Sequence, residues 1–304
     1  MRTIEHQADK NADKSSSPCD ICGTVETQLL FETHDRLDTP ARSFEIRKCH
    51  GCGVLRTFPE MSDAELAEFY PDHYWGEEPT QDWIIKSQSE KTAFLARYAS
   101  DGRILDVGCG SGYFLRALDE DKWDRYGVET GPEAVAAARK YLGEQNVAEG
   151  SLMDSRFEAE SFDVITFWSA LEHMNEPTGA LNVAHRILKT EGKLIVQVPN
   201  SDSYQARVFK GRWFALDAPR HRYHFSETVL RRFLNDNGFE IERITFSSNE
   251  HNAHALRQSL KSKLTMPFFG RAAYLLIKPF STPFDNFLSG RGHGATITLL
   301  AGKM

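Results

Sequence analysis

From about residue 103 onward, short apolar, β-branched runs alternate with stretches of helical period. The pattern predicts strands over 103–107, 125–129, 162–168 and 193–198, and helices over 112–120, 132–141 and 178–188. Strands apolar on both faces, joined by amphipathic crossovers, describe an α/β fold with a doubly wound, mostly parallel sheet. A helix over 227–237 follows, with Ser226 placed to cap it and Gly238 to end it, then two strand-like runs at 240–246 and 295–301. The stretch between them, 248–293, is far longer than an ordinary connection and reads as a helical insertion.

Upstream the pattern changes. Residues 1–17 are almost wholly polar and read as a disordered tail. Alternating segments at 28–32 and 42–46 predict short strands in a β-rich module over 18–60. A helix over 61–70, with Ser62 as cap and Glu65 closing a capping box, and a second helical pattern over 82–99 form a helical linker and lid, 61–100. The main domain then spans 101–304.

Composition narrows the functional classes. The chain has 304 residues, 40% hydrophobic and 26% charged, which excludes a disordered polymer and a disulfide miniprotein. Its net charge of −7 argues against a basic nucleic-acid binder, but residues 203–304 carry +8 and the rest −15. No run approaches the roughly 18 apolar residues of a membrane span, and the N-terminus has no signal-peptide core, so the expected location is cytoplasmic.

Four of the five cysteines form two pairs, Cys19/Cys22 and Cys49/Cys52, each a Cys-x-x-Cys-Gly knuckle. In a reducing compartment this spacing predicts a closed tetrahedral zinc site with no open position for catalysis.

Residues 104–114 join a strand, a tight turn bearing Gly108, Gly110 and Gly112, and a helix start. Such a loop lies outside the carboxyl end of a central strand, where doubly wound sheets bind ligands. The Gly-x-Gly-x-Gly spacing, with Asp106 two residues before it, resembles motif I of class I S-adenosylmethionine-dependent methyltransferases. That resemblance implies a seven-stranded Rossmann-like sheet. It also implies cofactor contacts at Asp106, Gly108, Cys109, Gly110, Gly112, Tyr113 and Phe114, at Glu129 and Thr130 for the ribose, at Leu152, Met153 and Asp154 for the adenine, and at Trp168 and Ser169. Cys109 reads as a filler of the turn rather than a nucleophile.

Leu171-Glu172-His173 is similar to a segment of quinone-biosynthetic and related small-molecule methyltransferases, and places His173 between the ligands. Asp217-Ala218-Pro219-Arg220-His221-Arg222-Tyr223-His224 sits where the fold commonly faces its acceptor. His173 and His221 are the candidate bases, and Arg220, Arg222, Tyr223 and His224 the candidate acceptor contacts. The whole order of motifs looks like bacterial methyltransferases of polysaccharide, glycolipid or secondary-metabolite pathways, implying O-methylation of a small-molecule, sugar or lipid-linked glycan acceptor.

The stretch 251–284 carries five basic residues and no acid among clustered leucines and aromatics. It predicts attachment to an anionic membrane surface, peripheral at the inner face, against packing on the sheet or on a second subunit. Two other readings compete: an RNA methyltransferase with the zinc module as reader, and a non-catalytic cofactor-binding scaffold. The first is weakened by eight basic against ten acidic residues in 1–60. The second has no feature of the sequence in its favour. Oligomeric state does not follow from these residues.

Overall fold

The computed structural model describes residues 17–37, 42–70, 79–247 and 289–304. The predicted disordered tail (apart from Ser17), residues 71–78 of the expected linker and the basic segment 251–284 lie outside the described residues, and with them the expected membrane attachment.

The N-terminal module is an antiparallel sheet of β1 (Thr27–His34), β2 (Ser43–Cys49) and β3 (Leu55–Phe58). Helix α1 (Asp63–Ala67) starts as its sequence predicts. Ser62 Oγ accepts from the Glu65 amide and Glu65 reaches back to the Ser62 amide. The second helical pattern is two helices, α2 (Gln81–Ser87) and α3 (Ser89–Leu95), meeting at Gln88. Ser87 and Ser89 hydroxyls donate to the Ile84 and Lys86 carbonyls there, the local competition that weakens serine in helix interiors.

The main sheet then builds in order through β4 (Gly102–Val107), α4 (Tyr113–Arg116), β5 (Trp123–Glu129), α5 (Pro132–Leu142), β6 (Val147–Glu149), β7 (Phe162–Trp168), α6 (Pro177–Ile187) and β8 (Leu188–Pro199). Helix α7 (Tyr204–Phe209), the two-residue β9 (Tyr223–His224), α8 (Glu227–Asp236), β10 (Phe239–Ser247) and β11 (Thr296–Lys303) complete it. The strand order is β10-β11-β8-β7-β4-β5-β6, with β11 alone antiparallel to its neighbours. The order reverses at β4, the first strand laid down, whose neighbours are β5 and β7. The crevice at its carboxyl end is where ligands meet this class of sheet.

The cysteine module does not stand apart from this sheet. Strand β9, from the main domain, pairs antiparallel with β3, Arg56 opposite Tyr223 and Leu55 opposite His224. Buried Cys19, Cys49 and Val54 belong to the same apolar cluster as Phe225, Val229 and Phe233 of the main domain. Asp20, inside the first knuckle, accepts from the Thr178 amide at 2.8 Å and so caps the first turn of α6. A module of about forty residues is too small for a core of its own. Here it borrows the core of its neighbour.

Candidate functional site

The glycine turn follows β4 directly. Gly108, Gly110 and Gly112 take φ of 72°, 54° and 76°, a region that L side chains avoid. A Cβ on Gly108 would stand 2.7 Å from the Ala170 Cβ, so the turn after β4 and the turn after β7 close on each other with no room for a side chain. Ser169, just before Ala170, is itself left-handed at φ 55° and exposed.

Around this turn lie the residues expected to hold a cofactor. Glu129, at the end of β5, accepts from the amides of Gly110 at 2.9 Å and of Thr130 and Gly131 at 2.8 Å each. Its carboxylate thus fixes the turn and faces the same crevice. Asp106 is buried and accepts from Thr166 Oγ1 at 2.6 Å. Burial pushes its carboxyl up to about 7, against the pull of the Thr166 hydrogen bond and of Lys91. Cys109 is buried, and burial together with the Asp106 and Glu129 charges raises its thiol well above the ordinary range. It is a filler of the turn, as its surroundings in the sequence suggest.

Trp168 forms the apolar wall, edge-on to Phe114 at 5.3 Å between ring centroids and to Phe94 at 6.4 Å. Its indole Nε1 is buried and, among the described residues, has no hydrogen-bond partner. Tyr113 stands edge-on to Trp83 of α2 at 6.2 Å, so the first linker helix packs beside the turn. Leu152 is buried beneath the site while Met153 is exposed, and Asp154 spends one carboxylate oxygen on the Ser151 hydroxyl and amide, closing a capping box of its own.

Lys91 is the residue the sequence did not announce. It projects from α3 to 5.5 Å from the Trp168 ring, within electrostatic range of Asp106, and burial lowers its ammonium. An acid and a base in one apolar crevice suit the ammonium and carboxylate of an amino acid. An unpartnered indole N–H and a turn with no space for Cβ atoms suit a flat, polar ligand. The residues therefore fit S-adenosylmethionine.

Glu172 and His173, after β7, and His221, before β9, come together in a second cluster. His173 Nδ1 lies 3.0 Å from the Arg220 carbonyl and His221 Nδ1 3.0 Å from the Ala215 carbonyl. A carbonyl can only accept, so each neutral ring carries its proton on Nδ1 and leaves Nε2 with a lone pair. The rings meet edge to face at 4.5 Å. Burial lowers both imidazoles, His221 well below the ordinary range, so both are neutral at physiological pH.

Glu172 is 1% exposed, and burial raises its carboxyl to about 8. A folded-state value above the ordinary one means that this group contributes stability at low pH and that the contribution is lost as pH rises through about 8. Without cofactor or added divalent cation, the stability of Glu172→Gln relative to the parent should therefore rise between about pH 5 and 8. Denaturant melts at those two pH values check this, and a flat difference would mean an ordinary carboxylate.

The four residues expected to contact the acceptor all have partners within the protein, three of them buried and Arg222 half-buried. Arg220 is fully buried. Its guanidinium binds Asp217 at 2.6 Å, Asp35 at 2.5 Å and the Phe69 carbonyl at 2.7 Å. Arg222 donates to the carbonyls of His173 and Met61 and to Asp63. The Tyr223 hydroxyl donates toward the Asn175 carbonyl, and His224 Nε2 meets Thr57 Oγ1 at 3.0 Å. Arg220 and His224 tie the 217–224 loop to the cysteine module through Asp35 and Thr57, and Arg222 ties it to the start of α1. Asp217 is the hub, held at about 2 despite its burial by His221, Arg36 and Arg220.

The cysteine sulfurs converge. Cys19 and Cys52 Sγ are 3.8 Å apart and Cys22 and Cys49 Sγ 3.5 Å, with all four within 4.8 Å of one another. Tetrahedral zinc with bonds of about 2.3 Å needs sulfurs about 3.8 Å apart. Gly23 and Gly53 turn the knuckles at φ 73° and 80°. The four cysteines fit a structural zinc ion and leave it no open position.

Comparison with known proteins agrees with this geometry. The family described as Methyltransferase domain matches residues 83–244, more than half of the chain. A ubiquinone biosynthesis O-methyltransferase of Xanthomonas oryzae pv. oryzae is 28% identical over 154 residues, covering 47% of this chain and 64% of that protein. Its counterpart in Pseudomonas paraeruginosa is 27% identical over 152 residues, with 46% and 66% covered. The chain thus spans less than two thirds of those relatives' length. A SAM-dependent methyltransferase of Archaeoglobus fulgidus superposes with a TM-score of 0.50 at 17% identity, covering 74% of this chain and 95% of that one, a likeness of fold alone. Among the described residues no helix is long and apolar enough to cross a membrane. With a matching family over residues 83–244 and this sheet order, the chain belongs to the class I S-adenosylmethionine-dependent methyltransferases.

Proposed function

We propose that the chain methylates an oxygen of a small-molecule acceptor. The observation that carries this reading is the pair of neutral imidazoles, His173 and His221, each with its Nε2 lone pair free of a proton beside the buried Glu172. Methyl transfer from a sulfonium is a displacement whose main demand is alignment, and a hydroxyl acceptor adds the need to remove or polarise its proton. A lone pair on neutral imidazole meets that need. The matched relatives named as O-methyltransferases support the same atom.

In this reading Lys91 and Asp106 hold the amino-acid end of the cofactor and Glu129 the ribose hydroxyls. Trp168 and Phe114 exclude water around the sulfonium, which supplies the methyl group. Asp154 has one oxygen left for the adenine amine. Zinc on Cys19, Cys22, Cys49 and Cys52 has no part in the chemistry and holds the module that braces the acceptor loop.

The test is transfer of labelled methyl from S-adenosylmethionine to a panel of catechols, phenols and sugars, with the methylated atom located by NMR. An O-methyl ether is expected, and a product methylated only on carbon or nitrogen would contradict the reading. Extending the panel to lipid-linked glycans tests the wider acceptor class that the order of motifs implies.

A further inference from the structure

We propose that Glu172, His173 and His221 form a second metal centre, distinct from the four cysteines, that binds a divalent first-row transition-metal ion beside the glycine turn. One ligand atom from each of the three lies within 4.8 Å of the others. Both histidines donate Nδ1–H to a backbone carbonyl, the arrangement that fixes the tautomer and orientation of a ligating imidazole. Their Nε2 lone pairs are what a metal takes.

The charge balance points the same way. Asp35 and Asp217 are matched by Arg36 and Arg220. Glu172 has no such cation: both its carboxylate oxygens are buried and, among the described residues, neither has a hydrogen-bond partner. A buried carboxylate without partners is expensive to keep ionised. Two neutral imidazoles and one carboxylate are the donor set of mononuclear iron and zinc centres, which keep positions open for substrate. Donor atoms around such an ion stand about 3 Å apart, so binding would draw the three side chains together by side-chain rotation.

The three residues come from two loops. Glu172 and His173 follow β7, next to the Ala170 that touches the glycine turn, and His221 precedes β9. With the ion bound, the Nε2 lone pairs are no longer free as bases, and an acceptor oxygen taken in an open position would be polarised by the ion instead. That last role rests on the proposed O-methylation, whereas the metal site itself does not.

The test counts metal on the full zinc-loaded chain after incubation with Co²⁺ and desalting, by elemental analysis, alongside calorimetric binding of S-adenosylmethionine. Two metal ions per chain are expected for the parent and one for Glu172→Gln and for His221→Ala. All three should keep cofactor affinity and helical circular dichroism, which separates ligand loss from misfolding. One ion in the parent, or two in both variants, overturns the proposal. Cofactor binding without the second ion would leave the methyltransferase reading standing and remove the metal alone.

Discussion

Replacing Arg220 with methionine should destabilise the chain by about 3–5 kcal/mol, the loss typical when one partner of a buried ion pair is removed. Arg220 is 0% exposed, and Asp35 and Asp217 are nearly so. Asp217 keeps Arg36 at 2.5 Å, while Asp35 loses its bond to this guanidinium and the Phe69 carbonyl loses its donor. Because Asp35 belongs to the cysteine module and Asp217 to the acceptor loop, the damage falls on the joint between them. A shift in the urea midpoint checks the magnitude. A variant within 0.5 kcal/mol of the parent, about the scale of a surface change, would mean that the joint carries no stability. If the substituted loop sags, His221 moves with it, so methyl transfer should fall further than cofactor affinity.

The other large effect is on zinc. Structural zinc sites supply on the order of 10 kcal/mol to the folding of the small modules around them. Cys49 is fully buried and its sulfur lies 3.5 Å from that of Cys22. A Cys49→Ser chain is expected to lose its Cys-bound metal and the pairing of β3 with β9. Thr57 on β3 donates to the His221 carbonyl at 2.7 Å, so the acceptor loop loses its backing as well. The glycine turn follows β4 and Glu129 ends β5, whereas the knuckles join the main domain through β9 and the first turn of α6. The expected result is therefore a fall in kcat of at least tenfold with S-adenosylmethionine affinity within twofold of the parent. Retained zinc with native turnover would contradict the site. Loss of cofactor binding with the zinc would mean that the two halves fold as one.

Much of the fold was legible because its signals are local. Buried parallel strands such as Phe162–Trp168 are apolar enough to stand out, and Ser62 and Ser226 mark helix starts by their own chemistry. The glycine turn after β4 was legible for the same reason. Asp106, the glycines and Glu129 lie within two consecutive strand–turn units.

The pairing of residues 217–224 inside the protein was not legible, and the reason is physical. Two arginines and two histidines within five residues look like an anion site, because their partners are far away in the chain. Asp35 is 185 positions from Arg220, and Thr57 is 167 from His224. The pairing of β3 with β9 and the contact of β1 with the 210–212 turn bring them together. Lys91 was missed for the complementary reason, since a single lysine in a short amphipathic helix looks like any solvated one until the helix is packed beside Trp168. Glu172 was read as part of a motif, and its burial without a partner is a property of the packed loops alone.

Calorimetric titration of S-adenosylmethionine into the full chain tests the central claim most directly. The account predicts one site per chain, lost in Gly108→Val, where a side chain would meet Ala170 at a left-handed backbone position. No binding by the parent, or undiminished binding by a folded Gly108→Val chain, would contradict it.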